Sequence, residues 1–132
     1  MKKHLQIHPE KVLLVEDNEL LLFSMKRFLE REFNHVMAIS TGEDAIAHLK
    51  GQFYNVVVLD IRLPGMDGWE VIEHIKRESP NTRVIVITTS EDEGTREKAL
   101  SRGASEFLEK PFDLEELREI LLRIIHYNPI LP

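Results

Sequence analysis

The feature that most constrains this chain is the regular alternation of short β-branched runs with longer amphipathic stretches. That alternation predicts βαβ units, and therefore a parallel sheet covered by helices on both faces. Residues 11–15, 36–39, 55–60, 83–88 and 105–109 read as five strands, the third and fourth apolar enough to lie centrally. Five helices alternate with them. Residues 19–32 carry Leu22, Met25 and Leu29 on one stripe, and residues 41–50 open with Thr41 as a cap before Ala45, Ile46 and Leu49. Residues 68–79 place Val71, Ile72 and Ile75 inward, and residues 92–102 form a weakly patterned polar helix. Residues 113–126 open with Asp113 as a cap and repeat Leu117, Ile120, Leu121 and Ile124. Pro64-Gly65 and Gly103 fall where turns are required, and Ser79-Pro80-Asn81 ends the third helix. With no internal repeat or linker, the chain divides into an extension at 1–10, one domain at 11–126 and a tail at 127–132.

Composition narrows the function. A length of 132 residues and a hydrophobic content of 42% suit one core. The net charge is −6, and the cations are scattered among acids, so direct nucleic-acid binding by this chain is not expected. Absence of cysteine excludes disulfides and thiolate chemistry and permits a reducing compartment. The basic start Met1-Lys2-Lys3-His4 is not followed by an apolar run of signal-peptide or membrane-span length, so a cytoplasmic protein with no membrane partner is expected.

In an open parallel sheet, ligands sit beyond the carboxyl ends of the strands. The first strand ends in Glu16-Asp17, the third in Asp60, the fourth in Thr88 and the fifth in Lys110-Pro111. Three clustered carboxylates repel one another unless a cation sits among their oxygens. Magnesium fits: it prefers oxygen ligands and accepts an incomplete protein cage of one or two carboxylates plus phosphate oxygens. Glu16, Asp17 and Asp60 are the candidate ligands. Asp60, kept ionised, is a candidate carboxylate nucleophile toward an activated phosphoryl donor. Lys110 then balances charge on the equatorial oxygens, and Thr88 offers them a hydroxyl donor. Singly, each residue has a plainer reading, since Glu16-Asp17 also suits a helix cap and Thr88 a strand end. Their arrival at one sheet edge favours the joint reading.

Leu13-Leu14-Val15-Glu16-Asp17-Asn18-Glu19, Val58-Leu59-Asp60 with Leu63-Pro64-Gly65-Met66-Asp67-Gly68, the run at 84–88, and Gly103-Ala104 with Phe107-Leu108-Glu109-Lys110-Pro111-Phe112 resemble the CheY-like receiver domains of bacterial response regulators. The resemblance spans about residues 11–125, with the motifs in family order and spacing. It implies a three-layer, flavodoxin-like (βα)5 fold whose parallel sheet has strand order 2-1-3-4-5. It also implies that Asp60 is the phosphoacceptor, Asp17 a magnesium ligand, Glu16 a ligand acting through water, and the Arg62 main-chain carbonyl a further ligand, with manganese as substitute metal. Thr88 and Lys110 match positions that contact the phosphoryl group, Pro111 a proline that follows a cis bond, and Phe107 an aromatic switch. The implied donor is a histidine kinase or histidine phosphotransfer protein. The implied output is a change in the face of the fourth helix, fifth strand and fifth helix, used for an effector or for self-association. Such a domain is a signalling device that catalyses only its own phosphorylation and dephosphorylation.

Three positions are variable or depart from the commonest family pattern. Arg62 and Ser90 occupy sites where relatives tune acyl-phosphate lifetime. Thr89 stands where alanine is usual, and its extra bulk is expected to narrow access to Asp60 and slow turnover. Six histidines, His4, His8, His35, His48, His74 and His126, lack zinc-like spacing and are expected at the surface. Glu91-Asp92-Glu93 reads as a solvated acidic loop at a helix start. Trp69 suits either a partner or the sheet.

Competing readings fit less well. An aspartyl-nucleophile phosphatase places a second Asp two residues after the first, where this chain has Arg62. A flavin binder wants a hydroxyl- and glycine-rich loop after the first strand, whereas Glu16-Asp17-Asn18-Glu19 repels phosphate. A degenerate interaction module normally lacks the acceptor or the lysine, and both are present. Little chain follows the last helix, which suits a single-domain regulator or the first domain of a longer protein.

Overall fold

Ten alternating elements appear in a computed structural model of the protein, which describes residues 7–89 and 94–126. In chain order they are β1 (His8–Val15), α1 (Glu19–Leu29), β2 (Phe33–Ile39), α2 (Gly42–Gly51), β3 (Val56–Asp60), α3 (Gly68–Glu78), β4 (Arg83–Thr89), α4 (Thr95–Ser101), β5 (Glu106–Lys110) and α5 (Leu114–His126). The five strands form one parallel sheet of order β2-β1-β3-β4-β5. This is the expected flavodoxin-like architecture.

Strand composition explains the layering. Alternate side chains of a strand point to opposite faces, so a strand covered on both sides must be apolar throughout. Every residue of β3 is buried. Leu13, Val15, Val57, Leu59, Val84 and Val86 pack with residues of α2, α3 and α4, among them Ala45, Ile72 and Ala99. Their neighbours Val12, Leu14, Val56, Val58, Ile85 and Ile87 pack with Met25 and Leu29 of α1 and with Leu117, Leu121 and Ile124 of α5. Burying one such Val, Leu or Ile contributes about 1.5–3 kcal/mol.

Side-chain caps set the helix starts. Asn18 Oδ1 accepts from Leu21 N at 2.9 Å, Thr41 Oγ1 from Asp44 N at 3.1 Å, Asp67 Oδ1 from Glu70 N at 3.1 Å, and Asp113 Oδ1 from Glu116 N at 2.8 Å. Gly65 and Gly103 take positive φ of 74° and 107°, the left-handed turns their positions require.

The structure corrects several boundaries. β1 and β2 begin three residues before the expected 11 and 36, at His8 and Phe33, with a register irregularity between His8 and Lys11. Pro9 falls inside that irregular stretch, where a missing ladder donor is tolerated. The early pairing takes up the chain after α1, which therefore ends at Leu29 and not at 32. α4 starts at Thr95 behind Gly94, and the residues expected at 92–93 lie outside those described. His8 overturns the expectation of surface histidines. It is only 5% exposed, with its ring centroid 5.0 Å from Phe33 and 5.4 Å from His126 and its Nε2 3.9 Å from Glu32 Oε1. His8 is followed by Pro9, Glu10 and Lys11, so nothing in the pattern of the β1 start marks it as a packing residue. His4 lies outside the described residues.

Candidate functional site

Because β1, β3 and β4 lie side by side, their carboxyl ends bring Glu16, Asp60 and Thr88 to one edge, and β5 adds Lys110. Glu16 is fully buried, Asp60 is 3% exposed and Thr88 2% exposed. Ligand oxygens of Glu16, Asp17 and Asp60 all lie within 4.8 Å of one another. Lys110 Nζ bridges two of the acids, 2.8 Å from Asp60 Oδ2 and 2.9 Å from Glu16 Oε1.

Backbone donors fix the carboxylates. Arg62 N–H donates to Asp60 Oδ1 at 2.9 Å, so both oxygens of Asp60 are held. Asn18 N–H donates to Glu16 Oε2 at 3.0 Å. The same Asn18 caps α1 through its side chain, so Glu16 is tied to the helix start that Asn18, and neither acid, caps. Glu16 Oε1 is the weak point: it is close enough to Lys110 for an ion pair, but no donor is aligned on it as in a hydrogen bond.

Burial pushes the Glu16 carboxyl above its ordinary 4.5, and the nearby Asp60 charge adds to this, against the Asn18 N–H and the Lys110 ammonium. Burial alone would lower Lys110, but its hydrogen bond to Asp60 and its close approach to the Glu16 carboxylate outweigh that and raise it above 10.5. Lys110 alone does not balance three carboxylates. An all-oxygen donor set, an underused buried carboxylate oxygen and an exposed third acid, Asp17, fit a hard divalent ion with open positions for water and phosphate oxygens.

The other candidates fall around this cluster. Arg62 follows β3 with an exposed side chain, and the Lys110–Pro111 peptide is cis. Phe107, half-buried on β5, pairs with Val86, and Arg96 lies 5.8 Å over its ring. Thr89 lines a cavity of about 350 Å³ beside Arg96, Phe107 and Glu116, and its Oγ1 is buried without a partner. Ser90 and the Glu91-Asp92-Glu93 run lie outside the described residues.

Sequence reading missed two contributors. One is the Arg62 amide on Asp60, which no side-chain pattern encodes. The other is Gly68, whose absent Cβ lets α3 start against β3: a Cβ there would lie 2.6 Å from Ile61 Cα and 2.9 Å from the Asp60 carbonyl oxygen. Its place behind Asp67, the α3 cap, was the available signal.

Comparison with known proteins agrees with this geometry. The response regulator receiver domain model matches residues 12–122. The transcriptional regulatory protein CrdR of Helicobacter pylori is 37% identical over 122 residues, covering 92% of this chain and 57% of that protein. The chain spans about half the length of the curated relatives it matches. Among solved structures, the BeF3-activated receiver domain of DrrB is similar at a TM-score of 0.83 and 30% identity, over 91% of this chain and 100% of that one. The non-phosphorylated HemR receiver domain of Leptospira biflexa gives 0.84 at 30% identity, over 93% and 99%. Motif order, strand order and the carboxyl-end cluster thus agree with the family match, and the chain belongs to the response regulator receiver domains of two-component systems.

Proposed function

We propose that this domain accepts a phosphoryl group on Asp60 from a histidine kinase or histidine phosphotransfer protein, and that Glu16, Asp17, Asp60 and the Arg62 carbonyl hold the magnesium ion that supports the transfer. The observation that carries the reading is the setting of Asp60, 3% exposed, with both oxygens held and two further acids within 4.8 Å. When bound, the ion supplies charge neutralisation for the phosphoryl oxygens. Asp60 attacks phosphorus through a carboxylate oxygen, the bond from phosphorus to the donor's nitrogen or oxygen breaks, and its electron pair leaves with the donor. Lys110 trades part of its contact with Asp60 for the incoming equatorial oxygens, and Thr88 donates its hydroxyl to one of them. Glu16 and Asp17 orient metal and water, and Arg62, Thr89 and Ser90 set how long the acyl phosphate survives. The domain acts on itself alone.

Thr88 and Phe107 are the proposed relay to the α4–β5–α5 face, which engages an effector or a second copy. Phe107, half-buried beside the Thr89 cavity, has space to change position. Among the described residues no helix is long and apolar enough to cross a membrane; the setting proposed for the domain is the cytoplasm.

Intact mass after incubation with acetyl phosphate, with and without magnesium, tests the reading. We expect a magnesium-dependent, base-labile gain of one phosphoryl group that is absent in Asp60→Asn. An adduct that persists in Asp60→Asn overturns the assignment of the acceptor. No adduct, together with no binding of beryllofluoride, overturns the phosphoacceptor reading itself.

A further inference from the structure

We propose that the groove between α3 and α4 is a docking surface for an acidic polypeptide segment carrying an apolar side chain. The groove has a volume of about 620 Å³ and is lined by Ile72, Glu73, Lys76, Arg77 and Arg102. Trp69, Ile72 and Lys76 recur at helical spacing along α3 and so share one face. From α4, Lys98 Nζ lies 4.3 Å and the Arg102 guanidinium 5.4 Å from the centre of the Trp69 ring. Two cations of α4 and its C-terminal cap thus stack on an aromatic of α3, and Arg102 also lines the groove with the α3 cations Lys76 and Arg77, in a chain whose net charge is −6.

Their partners are incomplete. Arg77 pairs with Glu78 at 3.1 Å, but among the described residues Lys76, Lys98 and Arg102 form no ion pair with a carboxylate. The Lys76 stem is pinned against the backbone, since a Cβ on Gly103 would sit 2.9 Å from its Cδ and Cε. Burial, with Arg83 nearby, lowers the Lys76 pKa, so its charge is held there at a cost that an anion would relieve.

Cations in the last turn of a helix also answer the carbonyl end of that helix. That accounts for Lys76, Arg77 and Lys98 one by one. It does not account for α3 and the end of α4 aiming Lys76, Arg77 and Arg102 at a shared groove beside Trp69. Stacking on Trp69 also fixes the α4 cations in advance, which reduces the ordering cost of binding. Carboxylates for the cations and one apolar side chain against the partly exposed Trp69 would match this surface. A nucleic acid or an anionic bilayer would meet the acidic remainder of the chain as well, and four cations are few for such a polyanion.

The protein reports on this groove itself, because Trp69 is its one tryptophan. The probe is a short synthetic peptide of alternating Glu and Ala around a central Leu, titrated without divalent ions while Trp69 fluorescence is followed. We expect a saturable change that weakens with salt and is absent with the Lys version of the peptide. Affinity should fall by about tenfold or more in Lys76→Glu/Arg102→Glu. Lys98→Glu, at an exposed site, should weaken binding in the same direction and serves if the double variant misfolds. No saturable change, undiminished affinity in a folded variant, or tighter binding of a single-stranded oligonucleotide or of phosphatidylserine vesicles overturns the proposal.

Discussion

Lys110→Met removes the cation that bridges Glu16 and Asp60 and leaves an almost isosteric stem. In the native site the ammonium lies 2.9 and 2.8 Å from these two buried acids. Without it, carboxylate oxygens within 4.8 Å of each other lose the cation that bridges them. Two unit charges at that separation repel by about 3.5 kcal/mol at an effective dielectric constant of about 20. Breaking a buried pair from one side generally costs about 3–5 kcal/mol. Glu16 limits the loss, because its carboxyl already binds a proton more readily than the ordinary 4.5 implies. We therefore expect Lys110→Met to lower unfolding free energy by about 2–4 kcal/mol near neutral pH without divalent ions. The pH dependence has a definite sign. A folded state with a raised carboxyl pKa binds more protons than the unfolded chain, so stability falls as pH rises from 4.5 through the raised value. The variant's deficit should therefore shrink in mild acid. Adding Glu16→Gln to Lys110→Met should recover most of the loss at neutral pH, and saturating magnesium should recover about 2.7 kcal/mol at a hundredfold excess over Kd. Urea unfolding followed by circular dichroism measures all of this. A deficit that is the same at both pH values, or that Glu16→Gln leaves untouched, would refute the electrostatic argument.

Gly68→Ala should destabilise the domain by about 1–3 kcal/mol and slow phosphorylation from acetyl phosphate, because its Cβ would press on the backbone of Asp60 and Ile61; wild-type stability and rate would contradict the close approach. Thr89→Ala deletes a buried hydroxyl without a partner, so stability should hold or rise slightly. If the bulk of Thr89 slows turnover, the phosphorylated half-life shortens in this variant, and an unchanged half-life removes Thr89 from that role. Burial, with Arg77 and Lys50 nearby, pushes His74 below its ordinary 6.5. The unfolded chain then binds the proton first, so His74 should cost stability as pH falls from 6.5 through its lowered value, and His74→Gln should flatten that part of the urea-midpoint profile.

Where one physical rule acted alone, the sequence was readable. The apolar run at 56–59 could only be a doubly covered strand, and Asp60 at its end could only face the sheet edge. Glu16, Thr88 and Lys110 followed from the same rule, applied to three more strands. Reading failed where packing between distant segments decided the outcome. His8 is buried because Phe33 and His126 close over it, and these lie 25 and 118 residues away in the chain. The end of α1 moved because β2 began early to pair with β1. Trp69 was ambiguous because the cations stacked on it belong to another helix. Main-chain donors such as the Arg62 amide leave no trace in residue identity at all.

Placing one site residue at the end of each of four strands has a consequence for the cell. Glu16, Asp60, Thr88 and Lys110 all meet only when β1, β3, β4 and β5 are paired in register, so a partly folded form lacks the complete site. Parallel pairings close long loops and form late relative to helices. On the proposed function, a nascent or heat-stressed copy would therefore lack the complete acceptor site until the sheet has formed. The responsive population is the fully folded population, so a loss of about 1.4 kcal/mol in a marginal variant would raise the silent fraction roughly tenfold with no residue of the site altered.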